Sequence, residues 1–179
     1  MRRLTSRLLR PTGPRSAVVR AVLVVGAVAL LATACRPPAP AAPVLQNGNL
    51  PPGVLYPVNA NCEIWQPAAR DLLTMMDDAQ LAGVDLTPES CYRTYAQQVV
   101  DRNYWCSLGA CQFAAVPGTS VHGWGKAVDF ADQNGELTFS SLGYQWLKAH
   151  AQNYCFVHPA WAEPTGSAPE PWHWEWVCG

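Results

Sequence analysis

Ser120-Val121-His122-Gly123-Trp124-Gly125-Lys126-Ala127-Val128-Asp129 is the most informative stretch of the chain. His122 and Asp129 are separated by a segment carrying two glycines, Gly123 and Gly125. Glycine lets the backbone bend without steric cost, so both side chains can be brought to one side of a turn entering a strand. That strand reads from Lys126 to Asp132, with Ala127 and Val128 beside Asp129 and Phe130. Imidazole nitrogen and carboxylate oxygen are both zinc donors, at about 2.0–2.2 Å.

The missing donor stands near the C-terminus, in Glu170-Pro171-Trp172-His173-Trp174-Glu175-Trp176. Trp172, Trp174 and Trp176 recur with period two, which places them on one face of a strand over Trp172–Val177, the face to be buried. His173 and Glu175 then point the other way, toward a cleft. His173 is the natural third ligand, and His, Asp and His leave one coordination position open. A catalytic zinc keeps such a position for water and lowers that water's pKa to about 7. A nearby carboxylate must take the water's proton and pass it to the leaving amine. Period two alone favours Glu175, which shares a face with His173. Glu170 would lie on the opposite face of an ideal strand, but Pro171 disfavours regular strand geometry there, so a turn can swing Glu170 back.

The flanking segments supply a scaffold. Gln66–Val84 reads as a helix, with Pro67 early, Ala69, Leu72, Leu73, Met76 and Ala79 at helical spacing, and Gly83 to stop it. Met75 and Met76 read as packing residues. Leu86–Tyr92 is extended, Thr94 to about Trp105 a second helix, and Cys106–Thr119 irregular. Ser140–Asn153 has helical spacing through Leu142, Trp146 and Leu147, and Cys155–His158 is a strand. Helices before and between short strands, without regular β-α-β alternation, predict an α+β class: one small domain with a central, largely antiparallel sheet, flanking helices and the zinc site in a cleft on the sheet. His150 and His158 read as structural histidines, and most of the eight tryptophans as core or cleft wall.

The 179 residues suffice for one ordinary domain. The net charge of −1 conceals a segregation: residues 1–34 hold six of the twelve basic residues and no acid. The remainder, six basic against thirteen acidic, is near −7. Such an acidic body lacks the basic face that nucleic acid requires, so no nucleic-acid partner is expected.

Residues 1–34 read as a signal peptide, with a basic lead, an apolar run from Ala21 to Leu31 and small residues through Ala34. Ala32-Thr33-Ala34 fits ordinary signal cleavage, whereas Leu30–Cys35 resembles a lipobox with Ala32 in the usual leucine position. In the second reading Cys35 carries lipid, the only membrane contact expected. Residues 35–57, rich in proline and alanine, read as a tether, and 58–179 as the catalytic domain. Setting Cys35 aside leaves six of seven cysteines, an even number suited to disulfides outside the cytoplasm. Cys106–Cys111 would close a short loop, Cys155–Cys178 would tie two C-terminal strands, and Cys62–Cys91 follows by elimination. The resulting picture is an exported monomer in a bacterial cell envelope.

The sequence resembles the zinc D-Ala-D-Ala carboxypeptidase family, which includes the vancomycin-resistance carboxypeptidases and related phage endolysins. That family carries Ser-x-His-x-x-Gly-x-Ala-x-Asp and, later, Glu-x-Trp-His, present here at Ser120–Asp129 and Glu170–His173. The likeness runs from about Leu72 to the C-terminus, and Ser90-Cys91-Tyr92-Arg93-Thr94 is similar to the family's Ser-Gly-Tyr-Arg-Ser, with Cys91 in place of glycine. It implies His122, Asp129 and His173 as zinc ligands and Glu170 as general base. It also implies that Arg93 grips a substrate carboxylate or carbonyl, that Ser120 hydrogen-bonds substrate and that Trp172 borders it. The implied activity is hydrolysis of the terminal D-alanine of peptidoglycan stem peptides, Glu170 assisting the zinc's water. Two alternatives are an endopeptidase of the same family and a non-catalytic, zinc-stabilised wall-binding module.

Overall fold

A computed structural model describes residues 44–179. The expected signal peptide, Cys35 and the first part of the tether lie outside the described residues. In chain order the elements are β1 (Leu55–Pro57), β2 (Glu63–Trp65), α1 (Gln66–Leu81), β3 (Thr87–Ser90) and α2 (Tyr95–Ser107). They continue with β4 (Ala127–Asp132), β5 (Gly135–Glu136), α3 (Leu142–His150), β6 (Phe156–Val157) and β7 (His173–Trp176). The main sheet has the order β3-β4-β7-β6, with β5 also on β4, and every pairing is antiparallel. β1 and β2 form a separate antiparallel pair. The class is the expected α+β.

Strand alternation divides the sheet into two faces. Val128 and Phe130 of β4 and Trp174 and Trp176 of β7 join the hydrophobic core with Leu72 and Met75 of α1 and Tyr144 and Leu147 of α3. Fully burying side chains of this size stabilises by about 1.5–3 kcal/mol each, so this face anchors the sheet. Asp132 is also buried, but both its oxygens are used: Oδ1 accepts from the Asn134 amide and Oδ2 from the Gly143 amide at the start of α3. Among the described residues the disulfides are Cys62–Cys91, Cys106–Cys111 and Cys155–Cys178, as paired from the sequence.

The expected tether departs from the structure over its described part. The Gly48 amide donates to the Gly123 carbonyl (2.7 Å), Gly48 accepts from the Tyr95 amide (2.8 Å), and Leu55–Pro57 pairs with β2. Proline-rich composition disfavours helix and central strand, yet it permits this irregular clasp. The C-terminal strand begins at His173 rather than Trp172, because Pro171 and Trp172 form a turn.

Candidate metal centre and catalytic cleft

Register explains how two of the three proposed ligands meet. Asp129 of β4 lies directly opposite His173 of β7. Cross-strand neighbours project to the same face, so the two side chains converge. Asp129 Oδ1 is 3.1 Å from His173 Nδ1.

His122 arrives from a 3-10 turn, Val121–Trp124, ended by Gly125 at φ 64°. A left-handed residue of this kind costs glycine little. A Cβ at Gly123 would collide with the side chains of Asn47 and Gln98, so this turn has room only for glycine. His122 Nδ1 lies 2.6 Å from the Cys91 carbonyl oxygen, which assigns that nitrogen the proton and turns Nε2 inward. Nε2 is then 3.3 Å from Asp129 Oδ1 and 3.2 Å from His173 Nδ1. One donor atom from each of the three residues lies within 4.8 Å of the others.

The chemistry of this set fits a divalent zinc. Two imidazole nitrogens and a carboxylate oxygen aim at one small volume, and each imidazole's outer nitrogen is already engaged. His173 Nε2 lies 3.1 Å from Glu175 Oε1, matching the Cys91 carbonyl on His122. Such outer partners fix ring orientation and raise ligand basicity. Glu175 therefore backs a candidate ligand. Without a cation, protonation relieves the crowding of lone pairs. Burial opposes a charge on His173, but the carboxylates of Asp129 and Glu175 outweigh it and carry its pKa up to about 9. Burial likewise opposes charge on Asp129, yet the two histidines hold its carboxyl far below the usual range.

The other predicted residues line the same cleft, which encloses about 490 Å³. The backbone amide of His173 donates to the Glu170 carbonyl (3.1 Å), closing the turn that brings Glu170 back to the face of His173. Burial raises the Glu170 carboxyl to about 7; Asp129 adds to the rise, while His173 and Arg93 oppose it. Arg93 follows an irregularity in β3 between Pro88 and Ser90. Its Nε pairs with Asp101 (3.1 Å), and Nη2 reaches Ser90 Oγ (3.2 Å) and Asp129 Oδ2 (3.4 Å). Ser120 and Trp172 are half-buried cleft residues; Trp172 also packs on the core edge. His150 lies against Trp146 at the end of α3, outside the cleft.

A larger groove of about 1240 Å³ runs along the 45–53 segment, bounded by Tyr92, Tyr95 and Trp124. It contains none of the converging donors, so size does not identify the reactive site here.

Several contributors had no place in the sequence reading. Gln98 is almost fully buried and binds Asn47 Oδ1 and the Arg93 carbonyl, both at 3.1 Å, while its Oε1 accepts from the Gly118 amide (2.8 Å). Asn47 donates to the Ser120 carbonyl (2.7 Å). Together they fasten the loop that presents His122. One signal was available: Thr94 and Gln97 form a reciprocal capping box, which marks the start of α2 immediately after Arg93. Trp105, Phe113 and Trp161 add aromatic walls to the cleft.

Several known proteins are similar to this chain. A D-alanyl-D-alanine carboxypeptidase of Enterococcus faecalis is 30% identical over 122 residues, covering 59% of this chain and 45% of that protein. YodJ of Bacillus subtilis, named as a carboxypeptidase, is 34% identical over 126 residues, covering 64% and 46%. The chain thus spans about half the length of the curated relatives it matches. Among solved structures, VanYB in complex with D-Ala-D-Ala has 26% identity and a TM-score of 0.60, covering 75% of this chain and 86% of that one. A vancomycin-resistance D,D-pentapeptidase VanY bound to Zn(II) has 28% identity and a TM-score of 0.58, covering 75% and 87%. The LdcB LD-carboxypeptidase has 29% identity and a TM-score of 0.61, covering 74% and 75%. Since the VanY D-alanyl-D-alanine carboxypeptidase family matches residues 61–179, nearly the whole folded region just described, this chain belongs to that family.

Proposed function

We propose that this protein is a zinc-dependent D,D-carboxypeptidase that releases the terminal D-alanine of peptidoglycan stem peptides. The observation that carries the reading is the meeting of Glu170, Arg93 and the three donors His122, Asp129 and His173 in one cleft. When bound by these donors, zinc would supply Lewis acidity toward water and toward the scissile carbonyl. Glu170, with its carboxyl pushed up to about 7, takes the proton of the attacking water and returns it to the leaving amine near neutral pH. Asp101 holds Arg93 by Nε, which orients the guanidinium to bind a substrate carboxylate or to stabilise charge developing on the carbonyl oxygen. The Ser120 hydroxyl hydrogen-bonds substrate beside the His122 turn, and Trp172 packs along it.

The D-Ala-D-Ala bound to VanYB and the Zn(II) bound to VanY support the substrate and the metal. The same proposal includes an export signal at residues 1–34, lipid on Cys35 and a place in the cell envelope, where six oxidised cysteines suit the compartment. The likeness to an LD-carboxypeptidase gives a second reading, cleavage of a D-residue from an L-configured neighbour.

The test is incubation of the zinc-loaded protein with a stem pentapeptide ending in D-Ala-D-Ala and, separately, with the tetrapeptide, products being followed by mass. Loss of one alanine from the pentapeptide, slowed by about 10²–10⁴-fold in Glu170→Gln, is expected. Turnover of the tetrapeptide alone moves the activity to the LD class. An internal cut makes the protein an endopeptidase. Intact peptides with stoichiometric zinc would leave a binding module.

A further inference from the structure

We propose that His158 is a positioning residue for Glu170, acting through the Glu170 carbonyl, an inference that rests on the reading of Glu170 as the base. The His158 side chain is 1% exposed and lies among the rings of Phe139, Tyr144 and Trp174. Its Nε2 is 3.0 Å from the Glu170 carbonyl oxygen. A carbonyl only accepts, so Nε2 is the donor. Nδ1 has Glu163 Oε1 at 3.1 Å, but off the direction an aligned hydrogen bond would need. Glu163 is itself held by Lys148 Nζ (2.5 Å) and the Tyr144 hydroxyl (3.3 Å), both from α3. A chain of contacts thus runs from a core helix through Glu163 and His158 to the backbone of Glu170.

The Glu170 peptide needs this support because it lies outside any strand, just before the turn at Pro171 and Trp172. Its amide donates to Ala162 (3.0 Å), and its carbonyl receives two donors, the His173 amide and His158. Removing His158 leaves the carbonyl to the His173 amide alone. The peptide plane can then tilt, and the carboxylate on the same Cα moves relative to the three converging donors. His158 touches none of the reacting atoms in this arrangement, so its loss is expected in turnover and not in substrate or metal binding.

Four proteins decide the matter: His158→Leu, His158→Gln, Glu170→Gln and the Leu/Gln double variant, each assayed for kcat, KM and zinc content. Misplacing a reacting group by about 1 Å can cost roughly a hundredfold in rate, so His158→Leu should lower kcat by about ten- to a hundredfold with KM and zinc content unchanged. His158→Gln, whose amide reaches the position of Nε2, should recover most of that loss. In the Glu170→Gln background, His158→Leu should have no further effect, since the group it positions is gone. An unchanged kcat, a loss carried in full into that background, or Gln no better than Leu would overturn the proposal. Should His158→Leu fail to fold, His158→Asn takes its place, because its shorter amide reaches only the Nδ1 position; Asn equal to Gln is then the overturning result. Full activity of Glu170→Gln would instead remove the base assignment itself. Those two failures are therefore distinct.

Discussion

The β4–β7 pair turns two unlike surfaces to its two sides. Toward α1 and α3 it presents Val128, Phe130, Trp174 and Trp176, side chains whose contribution is the apolar area they remove from water. Toward the cleft it presents Asp129, His173 and Glu175, joined by directed contacts of His173 Nδ1 with Asp129 Oδ1 and of His173 Nε2 with Glu175 Oε1. The first surface sums many weak, non-directional contacts, so its loss is graded. The second depends on a few directed ones, so its loss is specific. Two strands that hold one another rigidly can carry both because side chains alternate while the backbone is shared.

Substitutions can test whether the two faces are separable. Glu170→Gln should have the largest effect, lowering kcat by about 10²–10⁴-fold, the usual worth of a positioned acid–base group. Zinc content and thermal midpoint should stay at parental values, and a large fall in either would show that Glu170 also holds the fold. Phe130→Ala tests the opposite face. It should cost about 3–5 kcal/mol in denaturant unfolding while kcat per folded molecule is retained. A kcat collapse in still-folded protein would mean that core packing sets the register of Asp129.

Glu175→Ala probes the backing of His173 and should weaken zinc binding by about 10–100-fold, with activity regained at saturating zinc. Failure to regain it would return Glu175 to consideration as the base.

Measured per pH unit, the smallest effect expected is in pH dependence. His173 without metal has its pKa raised to about 9, above its ordinary 6.5. That charge therefore stabilises the metal-free fold fully below about pH 6.5, and the contribution is lost as pH rises through 9. Zinc requires the neutral ring, so its affinity should climb by up to about tenfold per pH unit toward 9 and then level. Competition with a chromophoric chelator at several pH values reads the slope, and melting of metal-free protein reads the opposing trend. A flat profile in both would contradict the His173 protonation that crowding implies.

Much of this division could be read in the chain before any fold was known. The alternation of His173–Trp176 separates core from cleft positions, whereas Trp172, expected on the buried face, lies in the turn and lines the cleft; the His122–Asp129 spacing points to a ligand pair. Glu170 was harder, because strict alternation favours Glu175; the turn at Pro171 and Trp172 brings Glu170 to the same cleft, and a turn is a local interruption that periodicity cannot register. The structure places Glu175 on His173 Nε2 instead. The clasp by residues 46–49 was hidden by composition, since its hydrogen bonds run to Ser120 and Gly123 and join segments far apart in sequence. His158 was read as a structural histidine, and nothing local in its sequence signals contact with Glu170. Such contacts depend on where a loop returns in space.

The clasp also governs how force would enter the protein. Any pull along the chain before Leu45 reaches Asn47 and Gly48 early in the folded region. These residues bind the loop that carries His122 and the first residue of α2. Tension would thus be borne by hydrogen bonds beside His122, upstream of β1. The candidate metal centre lies on the load path of the segment that precedes it.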